Sequence, residues 1–250
     1  MRRIALFVAA LVVAVAAHAA DARKYAVLSL IGDELLLSGA ENVTGGRLDR
    51  NPRRYIELSD PFADKAALLA VNEAMKEKEG VEPVLLFGRD RRLYQAQARL
   101  LDSGESMQKL LADIRPLLAN TNATHLVLIT KDRREARIPL ADTTIGHGML
   151  QGVGYYIDRE VELRDRETGE TAVGMVAAFA YFNASLIRLD TGQILAERRV
   201  NAALPYSTPT HVNAEDIWGG MSTVDRVRMI RDLVTKEVRG LTPQLIAESR

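Results

Sequence analysis

The chain contains no cysteine. That excludes disulfides, thiolate metal sites and cysteine nucleophiles together, and also the acylated cysteine that a bacterial lipoprotein needs. There is no excess of either charge, since 33 Lys and Arg balance 33 Asp and Glu, so the basic footprint of a nucleic-acid-binding protein is missing. Arg133, Arg134 and Arg137 alternate with Asp132 and Glu135, as Arg226, Arg228 and Arg231 do with Asp225 and Asp232. Such mixed runs read as solvated faces. Beyond the amino terminus no apolar run approaches the roughly 18 residues of a membrane-spanning helix.

What the sequence does have begins at its first residues. Arg2 and Arg3 form a positive start, Ile4 to Ala16 is apolar, and Ala17-His18-Ala19 places small residues where a signal peptidase cuts. Residues 1–19 are thus expected to be a signal peptide for the general secretory route. The mature chain is expected to be periplasmic or secreted, with no transmembrane anchor after cleavage near Ala19.

The remainder, residues 20–250, reads as a single α/β domain: a mixed sheet carrying a long C-terminal antiparallel hairpin, with helices packed on it and irregular insertions at 39–53, 131–154 and 201–221. The hairpin is centred on Asp190-Thr191-Gly192, with glycine where a left-handed backbone is needed. Pairing Leu189 with Gln193 puts Phe182, Ala184, Leu186, Ile194, Ala196 and Val200 on a core face. Asn183, Ser185, Glu197 and Arg199 then share the other face with Ile187 and Leu195, with Ser185 opposite Glu197 and Asn183 opposite Arg199. That second face is either wet or the floor of a binding groove.

Earlier in the chain, Tyr25–Ile31 reads as a strand and Gly32-Asp33 as a turn into a short return strand, Glu34–Ser38. Arg54–Leu58 reads as a third strand. A helix follows, with Asp60 as its cap, Pro61 in its first turn and Gly80 closing it. Pro83–Phe87 and Thr124–Thr130 read as buried strands, and between them Leu93–Leu101 and Glu105–Leu118 as helices, with Pro116 bending or ending the second. Tyr155–Arg164 reads as a strand, followed by a turn at Glu167-Thr168-Gly169. Ser222 and Asp225 form a capping box for a last helix, whose buried face is Val227, Ile230, Val234 and Val238.

Several catalytic motifs begin without finishing. Leu30-Ile31-Gly32-Asp33-Glu34-Leu35 resembles the GDSL block of SGNH-type hydrolases, but Glu34 stands where the nucleophilic serine belongs. Asp190-Thr191-Gly192 spells the aspartic protease triplet, which needs a second carboxylate; its nearest relative, Glu167-Thr168-Gly169, has a side chain one methylene too long. Ser106-Met107-Gln108-Lys109 fits the Ser-x-x-Lys pattern without its companion Lys-Thr-Gly strand. Gly146-His147-Gly148, with Gly152 and Gly154, leads into a strand, whereas a dinucleotide fingerprint opens a helix. His125 begins an apolar strand, as a structural histidine would. His147 and His211, with Asp142 and Asp216, form an acid/base or metal site only if two irregular loops meet. Trp218 is either a plug at the core's end or a binding anchor.

The order of elements, the buried strand Thr124–Thr130 and the stretch Leu186-Ile187-Arg188-Leu189-Asp190-Thr191-Gly192-Gln193-Ile194-Leu195 before a terminal helix resemble the small α/β domain of bacterial envelope proteins, such as the CsgG family and the N-terminal domain of TolB. The resemblance implies an envelope setting and a protein partner. Together with the unfinished motifs, the expected role is that of an exported binding or envelope-assembly module without a cofactor, Trp218, Asn183, Ser185, Glu197 and Arg199 being its candidate contacts. The alternative is a periplasmic hydrolase or metal-binding protein built on His147 and His211.

Overall fold

The computed structural model describes residues 23–40, 51–88, 90–140, 142–164, 169, 171–206 and 218–248. These residues form a mixed α/β domain, in which four helices pack on a nine-stranded sheet of parallel and antiparallel strands. The strands are β1 (Tyr25–Leu30), β2 (Glu34–Gly39), β3 (Arg53–Glu57), β4 (Val84–Leu86), β5 (His125–Lys131), β6 (Arg133–Glu135), β9 (Met149–Arg164), β10 (Thr171–Arg188) and β11 (Gln193–Tyr206). A separate small ladder joins β7 (Ile138–Pro139) to β8 (Thr144–Ile145). The helices are α1 (Phe62–Glu79), α2 (Arg91–Ser103), α3 (Met107–Leu118) and α4 (Thr223–Ala247).

The 18-residue strand β10 is the spine. Along one edge it pairs with β11. Along the other it pairs twice: residues 182–188 with β5 and residues 171–181 with β9. Because β5 and β9 both run antiparallel to β10, they follow one another end to end. The next layer repeats this, with β1 parallel to β5 and β2 parallel to β9. The sheet is therefore two half-ladders joined at a line that Ile31-Gly32-Asp33 crosses in a single step.

That arrangement corrects the expected hairpin at Gly32-Asp33, since β2 does not return along β1 but continues past it to pair with β3 and β9. Alternation then sets the layers. Val27, Val127, Ile129, Phe182, Ala184 and Leu186 face α1 and α4, whereas Ala26, Leu28, Leu126, Leu128 and Ile187 face α2 and α3. On the second half-ladder Tyr156, Phe179 and Tyr181 are covered by Ala136, Ile138 and Leu150.

The long hairpin pairs Asn183 with Arg199 and Ser185 with Glu197, as the alternation predicts. Near the turn it differs. Four residues, Leu189 to Gly192, make the connection; Gly192 has φ +68°, and its N–H donates to the Arg188 carbonyl at 2.8 Å. Arg188, not Leu189, pairs with Gln193, and a bulge at Leu195 restores the register beyond. One extra residue reverses the facing of its neighbours. Ile194 is consequently exposed, while Leu195 packs on the core that Ile194 was expected to join.

Other boundaries shift for local reasons. Pro61 is the N-cap of α1 with no side-chain cap, because the Asp60 carboxylate pairs with Lys65 Nζ at 2.6 Å. The expected buried strand after Pro83 is a half-exposed edge, β4. Most of 131–154 is strand, Gly152 and Gly154 lie within β9, and residues 201–206 extend β11. Pro116 sits inside the last turn of α3, which runs on to Leu118.

Candidate functional site

Charged side chains converge where the two half-ladders meet. Lys131 ends β5 and is only 6% exposed. Its Nζ donates to Glu34 Oε1 at 2.7 Å and lies 2.8 Å from Asp33 Oδ1, off the hydrogen-bond axis, so one ammonium bridges the carboxylates at the start of β2. Its main-chain N–H donates to Gln97 Oε1 at 2.6 Å. Gly152, at φ +65°, makes room for the stem: a Cβ there would stand 3.1 Å from Lys131 Cδ.

Beneath this bridge lies a second buried charge. Asp64, in the first turn of α1, accepts at Oδ1 from Ser29 Oγ (2.6 Å) and the Ile31 N–H (2.8 Å), and at Oδ2 from the Gly32 N–H (3.1 Å) and Tyr94 Oη (2.7 Å). Only glycine fits at 32, because a Cβ would come within 2.6 Å of Asp64 Oδ2. Burial pushes the Asp64 carboxyl up to about 6, outweighing the four hydrogen bonds that pull it down. The Tyr94 hydroxyl also lies 3.2 Å from the Gly88 carbonyl, so two acceptors compete for one proton. A proton on Asp64 resolves the competition: Asp64 then donates to Tyr94, and Tyr94 to Gly88.

This shift has a sign that can be tested. The folded chain holds the Asp64 proton more tightly than the unfolded chain, so its contribution to stability is complete below about pH 4 and is lost as pH rises through about 6. The loss is about 3 kcal/mol, from the linkage relation between pKa shift and free energy. Urea denaturation of wild type and Asp64→Asn between pH 4 and 7 should show this downward slope only in wild type; parallel profiles would refute it.

Above the bridge opens a cleft of about 510 Å³ at the carboxyl ends of the parallel strands β1 and β5, where open α/β sheets bind ligands. Asp33, Glu34 and Lys131 form its floor, Tyr55 and Glu57 of β3 one wall, and Arg91, Tyr94 and Gln97 of α2 the other. A smaller recess of about 130 Å³ shares Pro61 with it and is bounded by Leu68, Leu86 and Phe87.

The residues singled out by sequence lie elsewhere. His147 is exposed; its N–H donates to Tyr156 Oη at 3.1 Å and its carbonyl accepts from Asn51. Burial pushes the Tyr156 hydroxyl up to about 12. Asp142 is exposed near the tip of the β7–β8 ladder, and His211 and Asp216 fall outside the described residues. Among the described residues no three His, Cys, Asp or Glu side chains cluster in a way that would hold a metal ion. His125 is buried, with Nδ1 2.8 Å from Thr124 Oγ1 and its ring against Tyr25.

Trp218 is half-buried against the core, edge-on to Tyr155 at 4.9 Å, with the Arg226 guanidinium 3.8 Å above its ring. The guanidinium also donates to the Trp218 carbonyl, and the Arg226 main-chain carbonyl accepts from the Tyr155 hydroxyl, the geometry of a plug. Ser185 is buried and Asn183 half-buried on the central strand, whereas on the edge strand Glu197 and Arg199 pair with each other at 3.0 Å. That face is therefore covered on β10 and wet on β11. Lys109 Nζ turns to Glu105 at 3.5 Å, away from the Ser-x-x-Lys role.

Sequence reading passed over Lys131 and Asp64, because a lysine ending an apolar strand and an aspartate in a first helical turn are ordinary in those places. The available signal was the pairing of Gly32-Asp33-Glu34 after one apolar strand with a lysine ending another.

No family model and no curated protein matches the chain. Among solved structures, a Xanthomonas campestris protein of the DUF330 family is similar over 90% of this chain and 88% of that one, at 11% identity and a TM-score of 0.37. A likeness at that level does not bear on function.

Proposed function

We propose that the protein is an exported binding module that receives part of an envelope partner in the cleft between β3 and α2. The observation that carries this reading is the state of the buried ionisable groups in and beneath the cleft. Lys131 is bridged by two carboxylates at the floor, and Asp64 lies under it, outside the lining, tied to Ser29, Ile31, Gly32 and Tyr94. A general base or nucleophile needs a side chain left able to exchange a proton with substrate. These groups instead hold the walls in place, and the walls present tyrosines, glutamines and exposed charges, which suit recognition.

The envelope setting rests on the signal-peptide pattern of residues 1–19 and on the resemblance of the hairpin stretch to envelope domains. No helix among the described residues is long and apolar enough to cross a membrane. Fusing residues 1–19 to a reporter that folds only after forming disulfides outside the cytoplasm should give an active reporter, and replacing Leu11 with Arg should silence it. An inactive wild-type fusion would remove export from the proposal.

The cleft is tested by placing a photo-crosslinking amino acid at Gln95, on its wall, and at Val224, exposed on α4. A discrete adduct from envelope extract at Gln95 alone is the expected result. Equal labelling at both positions, or none at Gln95, would count against the cleft.

A further inference from the structure

Resting on that reading, we infer that the cleft takes a polypeptide segment in which a lysine or arginine side chain lies beside an apolar one. Register brings two glutamates together. The Leu58 N–H donates to the Asp33 carbonyl at 2.8 Å, which makes 33 and 58 the hydrogen-bonded pair of the β2–β3 ladder. Glu34 and Glu57 are then the adjacent non-hydrogen-bonded pair, in which side chains stand closest. Two glutamates directly opposite one another are destabilising unless a cation sits between or beside them.

Two cations of the chain are at hand, and they differ. Lys131 is held under Asp33 and Glu34. Arg91 reaches Glu57 only at 3.7 Å, with both side chains almost fully in water, and such a pair contributes little and exchanges readily. The lining therefore holds three carboxylates, Asp33, Glu34 and Glu57, against two cations, Arg91 and Lys131. Tyr55, two residues before Glu57 on the same side of β3, lines the same cavity and is 46% exposed. An aromatic face beside a carboxylate pair is the chemistry that receives an ammonium or guanidinium group.

The second part of the ligand follows from the smaller recess. It adjoins the cleft at Pro61, and Leu68, Leu86 and the 62% exposed Phe87 line it. A small, mostly apolar recess beside a charged cleft fits a ligand carrying both kinds of side chain, which a peptide supplies and a free amine does not.

The test is amide chemical-shift titration of the labelled full-length protein with acetyl-Gly-Leu-Lys-Leu-Gly-amide, the same peptide with Glu for Lys, and n-butylammonium. The Lys peptide should move the amides of Gly32, Tyr55, Glu57 and Gly88 saturably, and the Glu peptide should bind about tenfold more weakly or not at all. Glu57→Gln should weaken the Lys peptide about fivefold without lowering thermal stability, and Phe87→Ala should weaken it by a similar factor. Equal binding of the Glu peptide overturns the cation while leaving the cleft a binding site, and butylammonium binding as strongly as the Lys peptide overturns the polypeptide. If neither peptide moves these amides the inference falls, and the Gln95 adduct decides separately whether the cleft binds at all.

Discussion

Replacing Lys131 with methionine should cost about 3 kcal/mol, seen as a lower urea midpoint at unchanged slope. The stem would still fill the space left by Gly152, so the loss comes from the charge. Without the ammonium, Asp33 and Glu34 face each other's field where each is only about 30% exposed, and Glu57 stands directly across the ladder. Removing one partner of a buried ion pair leaves the other charges uncompensated, which is what makes such changes costly. Adding Asp33→Asn and Glu34→Gln should recover most of the loss, whereas those two changes in the presence of Lys131 should destabilise. A triple variant no more stable than Lys131→Met would show that the ammonium acts by something other than neutralisation.

The second large effect is expected at Gly154, where β9 pairs with Leu36 of β2 on one side and Phe179 of β10 on the other. A Cβ on Gly154 would overlap the main-chain carbonyl of Leu36. Backbone cannot rotate out of the way as a side-chain tip can, so Gly154→Ala must prise β2 from β9. The expected cost is about 3 kcal/mol or more, at or above the upper end for overpacked sites. Gly240 is the control: it is exposed within α4 with nothing within 4 Å of an added Cβ, and Gly240→Ala should stabilise by about 0.5–1 kcal/mol. Circular dichroism melts of both variants decide the matter, and a Gly154→Ala protein melting like wild type would mean that β2 is not seated as described.

Much of the architecture is written in local signals. The gap between an apolar strand and a capped helix is visible at Ser222 and Asp225, where the Asp225 N–H donates to Ser222 Oγ at 3.1 Å, and at Gly80, whose φ of +64° ends α1. Strand β5 follows from its short apolar run, and the outer register of the long hairpin from alternation. What was not legible depended on partners distant in sequence. A three-residue link such as Ile31-Gly32-Asp33 looks like a turn because turns are its commonest use, and nothing local says that the next strand continues forward. The bulge at Leu195 is equally silent, since Ile194 and Leu195 are both apolar and either could face the core. The site was hidden for the same reason: Lys131 meets Glu34, and Asp64 meets Gly32 and Tyr94, only after several elements are assembled, while the histidines drew notice as rare residues.

The end-to-end arrangement along β10 also bears on how the chain reaches its native state. Lys24 meets Thr124 across a separation of 100 residues, and the half-ladder on β9 lacks its β10 partner until residue 181 has been made, the half on β5 until residue 188, because β10 is the strand both halves share. A topology so dominated by non-local pairing folds slowly, since much chain entropy is lost before pairing compensates for it. The helical segments α1, α2 and α3 can form locally, but the sheet they cover has no spine during most of synthesis. A chain emerging amino end first is therefore expected to stay unfolded for longer than a helical bundle of equal length, which the proposed export would exploit.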